Sequence, residues 1–251
     1  MKQVSISKTA RINVEHLEIG EGSVIGEHVL IEGRYVKIGR EAWIDSYAHI
    51  GGGSCFDYQS SLEIGDFLHM GKFSHVNAAR KVTIGDEVGF GGKIFSHGAY
   101  VPAWEGFPVQ FSNVEIGNRV WMPFAWVNPG VKIGDNVVVS AMSLVNSDIP
   151  SGCLAGGIPA RILRSNMYPK MLSSKEKLGL IEQISRDIQI PLKFIDRFEG
   201  EQVRLGETSF DLHNRVIDGP ATDETEKLKN QLRRYGIRFK YCAENGRYKP
   251  W

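Results

Sequence analysis

Residues 19–50 read IGEGSVIGEHVLIEGRYVKIGREAWIDSYAHI, with aliphatic residues at Ile19, Ile25, Ile31, Ile38, Ile44 and Ile50. The spacing is close to six. An amphipathic helix repeats near 3.6 and a half-buried strand at 2, so neither accounts for it. A chain that turns a corner every six residues does. One apolar side chain per six then points into a narrow prism, three sides make a coil of about 18 residues, and stacked coils build three parallel sheets. Small or positive-φ residues, chiefly Gly and Asn, are expected at the corners, where a Cβ would clash.

The phase extends outward in both directions. Ile6 and Ile12 precede the stretch; Ile64, Met70, Val76, Ile84 and Phe90 follow it. After a gap it resumes with Ile116, Met122, Val127, Ile133, Val139 and Val145. Gly-Asp or Gly-Asn recurs after the aliphatic residue in Gly65-Asp66, Gly85-Asp86, Gly117-Asn118 and Gly134-Asp135. A sandwich with glycine turns would alternate with period two instead.

Departures from six locate irregularities. The step from Ile31 to Ile38 carries one extra residue at a corner. Ile84 to Ile116 exceeds a coil by about 14 residues, which must leave the prism as an external loop, 97–113. Long loops on rigid scaffolds tend to carry function. Ile116 to Ile133 is one residue short, so a tightened corner is expected near Pro123–Trp126. The phase stops near Ser165, giving a β-helix domain over 1–165 and an extension over 166–251. An open prism end needs a cap. Ser173-Ser174-Lys175-Glu176 reads as a capping box opening a helix, with Leu180, Ile181, Ile184 and Ile188 on one face. A strand near Phe210–Ile217, a helix from about Asp223 to Tyr235 and a strand at Ile237–Cys242 complete a small α/β appendage, in which nothing reads as chemistry.

Thirty basic residues against 29 acidic ones leave a net charge of +1. That balance gives no electrostatic bias toward nucleic acid or a membrane surface. Three scattered cysteines, Cys55, Cys153 and Cys242, fit a reducing compartment rather than a disulfide framework. The start, Met1-Lys2-Gln3-Val4-Ser5, lacks the apolar core of a signal peptide, and no apolar run is long enough to insert in a membrane, so a cytoplasmic location is expected.

The chemistry-bearing blocks lie between 84 and 164. In order they are Val82-Thr83-Ile84-Gly85-Asp86; His97, opening the loop; Val114-Glu115-Ile116-Gly117-Asn118-Arg119-Val120-Trp121; Asn128-Pro129-Gly130-Val131-Lys132-Ile133-Gly134-Asp135-Asn136; Ser143-Leu144-Val145; and Gly157-Ile158-Pro159-Ala160-Arg161. This series resembles the hexapeptide-repeat acyltransferase superfamily, in particular the maltose, galactoside and xenobiotic O-acetyltransferases. The resemblance implies an all-β left-handed parallel β-helix, acetyl-CoA as donor, no metal, and a homotrimer with active sites between subunits. It implies that His97 is the catalytic general base. It also places the acetyl-CoA site along the later coils, with Ser140 and Ala141 leaving room for the pantetheine arm and Arg161 and Arg164 pairing with phosphates. Val120–Trp126 and Ser147 depart from the family pattern, leaving the contacts around them open.

A neutral imidazole can take the proton of a hydroxyl as it attacks a thioester, so no acylated Ser or Cys is required. His75 or Asn77, about one coil before His97, is placed to orient it or the acceptor. Tyr100 and Trp104, with Phe107 and Phe111, supply apolar surface in the loop for covering the donor or stacking on a sugar ring. The first reading is therefore O-acetylation of a sugar or polysaccharide precursor. Three alternatives stand beside it: an N-acetyltransferase acting on a nucleotide-amino-sugar, a metalloenzyme like the γ-type carbonic anhydrases, and a non-catalytic scaffold. The histidine spacing of the carbonic anhydrases is poorly matched by His69, His75 and His97.

Overall fold

A computed structural model describes residues 3–190, 193–194 and 202–251; Met1 and Lys2 of the N-terminal reading lie outside them. The described chain divides into two compact units, Gln3–Pro169 and Lys170–Trp251.

The first unit is the left-handed parallel β-helix. Its first sheet stacks Ser5–Ile6, Val24–Ile25, Trp43–Ile44, His69–Met70 and the start of Gly89–Phe95. Its second runs through Leu30–Ile38, His49–Ile50 and His75–Asn77 to the end of Gly89–Phe95. Its third carries Leu62–Ile64, Val82–Ile84 and Val114–Ile116. The predicted inward positions from Ile25 to Val145 are buried in one continuous core. At the N-terminal end of the described coils, Ile6 and Ile12 are exposed.

The corners correct the glycine expectation. Positive φ recurs mostly at residues with side chains: Glu41, Phe67, Glu87, Arg119 and Asn136 at one vertex, and His28, Tyr47, Phe73, Phe124 and Met142 at another. Their amides help offset the strain at the first vertex, where Phe67, Glu87 and Arg119 each donate to a carbonyl of the coil below. The glycines of the Gly-Asp pairs meet the expected Cβ clash. Asp66 Oδ1 accepts from Arg40 N at 2.7 Å, Asp86 Oδ1 from Asp66 N at 2.7 Å, Asn118 Oδ1 from Asp86 N at 2.9 Å and Asp135 Oδ1 from Asn118 N at 2.6 Å. The side chains of Asp86, Asn118 and Asp135 lie where a Cβ on the preceding coil's glycine would stand, whereas at Gly39 the Gly65 backbone occupies that place. An alanine at Gly85 would put its Cβ 2.6 Å from Asn118 Oδ1, and one at Gly117 would lie 2.5 Å from Asp135 Oδ1. Glycine is there for close approach of the next coil's cap, and the repeat is a ladder of satisfied corner amides.

The tightened corner also begins earlier than expected. Phe90 pairs with Met122 and Gly92 with Ala125, a register jump that sets Gly91 against both Pro123 and Phe124. The step from Phe90 to Ile94 is thus shortened as well as that from Met122 to Val127. The last coil turns back on itself, Leu154–Gly157 pairing antiparallel with Ala160–Arg164.

In the second unit, helix α1 (Ser174–Ile188) has the expected capping box. Its buried Ile181, Ile184 and Ile188 join the unit's own core, with Phe210, Leu228, Leu232 and Tyr248. The single strand expected near Phe210–Ile217 is a hairpin, Thr208–Asp211 against Val216–Pro220. Asp211 Oδ1 accepts from the amides of His213 and Asn214 in its turn, a local competition that apolar periodicity does not register. Helix α2 (Asp223–Arg234) follows, and the next strand is Tyr241–Glu244, paired with Arg247–Pro250.

Candidate active site

Two segments leave the prism at the same vertex, between the second and third sheets: 51–61 and the long loop after Phe95. Strand His75–Asn77 lies between their coils. The long loop returns on itself, His97–Gly98 pairing antiparallel with Gln110–Phe111.

At this vertex His97 Nδ1 lies 2.7 Å from Asn77 Oδ1. Asn77 is buried, and its Nδ2 donates to the carbonyls of Gly51 at 3.2 Å and Gly53 at 3.1 Å. Carbonyls only accept, so the amide cannot be flipped without losing both bonds. Oδ1 therefore faces His97, Nδ1 must carry the proton, and Nε2 keeps its lone pair. The ring stacks on Phe111 at 5.5 Å between centroids, and the Arg80 guanidinium covers the same phenyl group at 4.6 Å. Arg80 Nη1 donates to Asp57 Oδ2 at 3.1 Å, tying segment 51–61 to the long loop. Burial pushes the His97 pKa below its ordinary 6.5, and the nearby Arg80 cation adds to the effect. A neutral imidazole with a defined tautomer is what a general base requires at neutral pH.

His75 does not touch this bond. Its Nε2 meets Gly51 O at 3.1 Å, and its ring stacks flat on His49 at 4.4 Å. Burial lowers its pKa, partly opposed by the Gly51 carbonyl. His69 stands on the first sheet, 3.2 Å from Asp45 Oδ2, away from the other two imidazoles. Tyr100 and Trp104 are 100% and 99% exposed.

Along the second sheet the aromatic row continues from His75 to Phe95 to Trp126. It opens into a groove of about 330 Å³ lined by Gly92, Lys93, Trp126, Met142, Leu144 and Ile158, among others. Met142, Ser143 and Leu144 line it, whereas Ser140, just before, packs against Gly156. Arg161 and Arg164 are exposed on the strand that follows Ile158, the Arg161 guanidinium donating to Ala160 O at 3.0 Å.

Sequence reasoning missed Gly51-Gly52-Gly53, Asp57 and Arg80. The glycine triplet was visible, together with the step of fourteen from Ile50 to Ile64. The ion pair was not, because its partners come from different coils.

No family model matches the chain. Galactoside O-acetyltransferase of Escherichia coli is 30% identical over 140 residues, covering 54% of this chain and 66% of that protein. In sequence the chain is similar to the hexapeptide-repeat acyltransferase superfamily. A second superfamily relative, a putative lipopolysaccharide biosynthesis O-acetyltransferase of Escherichia coli, is 30% identical over 125 residues, covering 44% of this chain and 63% of its own. The chain thus spans just under two thirds of these curated relatives. Among solved hexapeptide acyltransferases, a maltose O-acetyltransferase of Clostridium difficile is 26% identical, covering 57% of this chain and 69% of its own, at a TM-score of 0.36, too loose to carry site geometry across.

The depressed imidazole pKa values have a consequence for stability. Unfolded His75 and His97 regain the ordinary 6.5, so between that pH and the lower folded values the unfolded chain binds more protons. Stability should therefore fall as pH is lowered from about 6.5 toward 5, above the range where carboxylates titrate. Denaturant midpoints across that range check this; a His75→Gln, His97→Gln double variant should show a flatter profile.

Proposed function

We propose that the protein is an acetyl-CoA-dependent O-acetyltransferase acting on a hydroxyl of a sugar or polysaccharide precursor, with His97 as general base. One observation carries the reading: Asn77, locked by the Gly51 and Gly53 carbonyls, fixes the His97 tautomer with the lone pair on Nε2, while burial and Arg80 lower the imidazole's pKa. The names of the galactoside and lipopolysaccharide relatives support the acceptor class. The donor would supply an activated acetyl thioester. Residues present fit it: the groove past Trp126 offers apolar walls for a pantetheine arm, and Arg161 and Arg164 follow it with cationic charge for phosphates. His97 would accept the hydroxyl proton, and Phe111, with Tyr100 and Trp104, would exclude water over the reacting atoms.

We also infer a homotrimer in the cytoplasm, where this donor is made. Fully exposed Tyr100 and Trp104 and the exposed vertex of Tyr47, Phe73, Phe124 and Met142 support association of copies. Among the described residues no helix is long and apolar enough to cross a membrane.

An acetyl-transfer screen over sugars, nucleotide-sugars and glycans tests the function; no transfer to any of them would count against it. Changing both Arg161 and Arg164 to alanine should raise the KM for acetyl-CoA far more than it lowers kcat, by about 1.5–3 kcal/mol per lost charge-assisted contact. An unchanged donor KM would remove both arginines from the site.

A further inference from the structure

Gly53 ends the triplet beside His97, and nothing in its own backbone asks for glycine. Gly51 and Gly52 have φ values of 130° and 102°, a region L side chains avoid. A Cβ at Gly51 would also come within 2.9 Å of Glu32 O, and one at Gly52 within 3.1 Å of Asn77 Nδ2. Gly53 has neither constraint. Its φ lies outside the left-handed region, and an added Cβ would meet only the catalytic imidazole, Nε2 at 3.5 Å and Cε1 at 3.7 Å. That is ordinary van der Waals contact, so the fold tolerates a methyl group here. What the methyl group would occupy is the space against the nitrogen that carries the lone pair. The residue cannot easily swing aside, because its carbonyl holds Asn77 Nδ2 at 3.1 Å.

We propose that Gly53 is a specificity-determining residue of the acceptor subsite, its missing side chain leaving His97 Nε2 open to the acceptor hydroxyl. The proposal rests on the reading of His97 as base. In the step it serves, the acceptor O–H proton passes to Nε2 while the oxygen bonds to the thioester carbonyl carbon. The C–S bond then breaks, and the CoA sulfur leaves with the proton returned by the imidazolium. The acceptor oxygen must come within about 2.6–3.2 Å of Nε2, and a methyl group in contact with that atom competes for the approach. Small residues elsewhere in the triplet shape the backbone; at Gly53 the small size shapes the substrate's path.

Diethyl pyrocarbonate, which acylates unprotonated imidazole nitrogen, tests access without knowledge of the acceptor. On His97 it has only Nε2 to attack, since Nδ1–H is held by Asn77. Carbethoxylation of each histidine is followed by peptide mass spectrometry at neutral pH, with thermal melting of every variant. His97 should be modified in the wild-type protein. In Gly53→Ala its rate should drop by at least about tenfold, and further in Gly53→Val, with His69 unchanged as an internal control. Equal His97 rates in folded wild-type and Gly53→Ala protein overturn the proposal. So does a wild-type His97 that resists the reagent while His69 reacts, a result that needs no variant to fold. The two readings separate cleanly: turnover of His97→Ala decides the base, whatever the carbethoxylation rates, and those rates decide the gate.

Discussion

Replacing His97 with alanine should lower acetyl-transfer turnover by about 10²–10⁴-fold while the protein stays folded and binds acetyl-CoA nearly as before. The range is the usual worth of a positioned general base. The fold should survive because His97 is only half-buried, on a loop outside the apolar core, and its removal frees a single acceptor, Asn77 Oδ1. That atom retains the Ala79 amide at 3.3 Å. The groove proposed for the donor lies further along the second sheet, beyond Phe95 and Trp126, so donor affinity has no direct reason to change. His69→Ala is the control: it removes an exposed imidazole of the first sheet and should cost little. The pH profile adds a second readout. A base must be unprotonated, and burial and Arg80 hold the His97 pKa below 6.5, so activity should be flat through neutrality and fall only on the acid side of that value. Near-normal turnover of His97→Ala with a true acceptor would end the assignment.

The prism was legible because its signal is one-dimensional. Ile25, Ile31, Ile38 and their successors are inward by phase alone, and the phase break located the loop that begins at His97. The motif order singled out His97 as the candidate base. What the sequence hid is what depends on contact between coils. Asn77 was a candidate with His75, and periodicity could not decide between them, because the decision lies in two carbonyls of a different coil. Arg80 and Asp57 meet across 23 positions with no pattern to mark them. The Cβ clash at the glycines of the Gly-Asp pairs was expected, but not that the clashing atoms belong to the next turn of the prism. The apolar stripe of helix α1 states that it is covered, not by what; Phe210, Leu228 and Leu232 of its own unit share its core.

The same distinction between glycines gives the largest expected effect on stability. Gly92→Ala should destabilise the β-helix by on the order of 2–6 kcal/mol, combining about 1–3 for overpacking and about 1–3 for a strained backbone. Gly92 has a φ of 98°, and an added Cβ would overlap Ala125 O and lie 2.8 Å from Ala125 N. Both are backbone atoms of the next coil, which cannot rotate away as a side chain can. Gly89→Ala, in the same strand, is the matched comparison. It lacks the positive φ, and its Cβ would meet only Trp121 Cδ1, at 3.5 Å. It should be close to neutral, or slightly stabilising through reduced freedom of the unfolded chain, by about 0.4–1 kcal/mol. Thermal or denaturant melting of the two variants reads the contrast, and equal losses would show that the register jump at Phe90–Gly92 is not enforced by this contact. The proposed site is tied to the same corner. The chain reaches Ile94 four positions after Phe90 instead of six, and His97 follows three residues later, directly after the Ser96 hydroxyl that donates to Asn77 O at 2.9 Å. Any Gly92→Ala protein that does fold must therefore shift the start of the loop against Asn77. It should lose the 2.7 Å bond that sets the imidazole, so its turnover should fall even at temperatures where it remains folded.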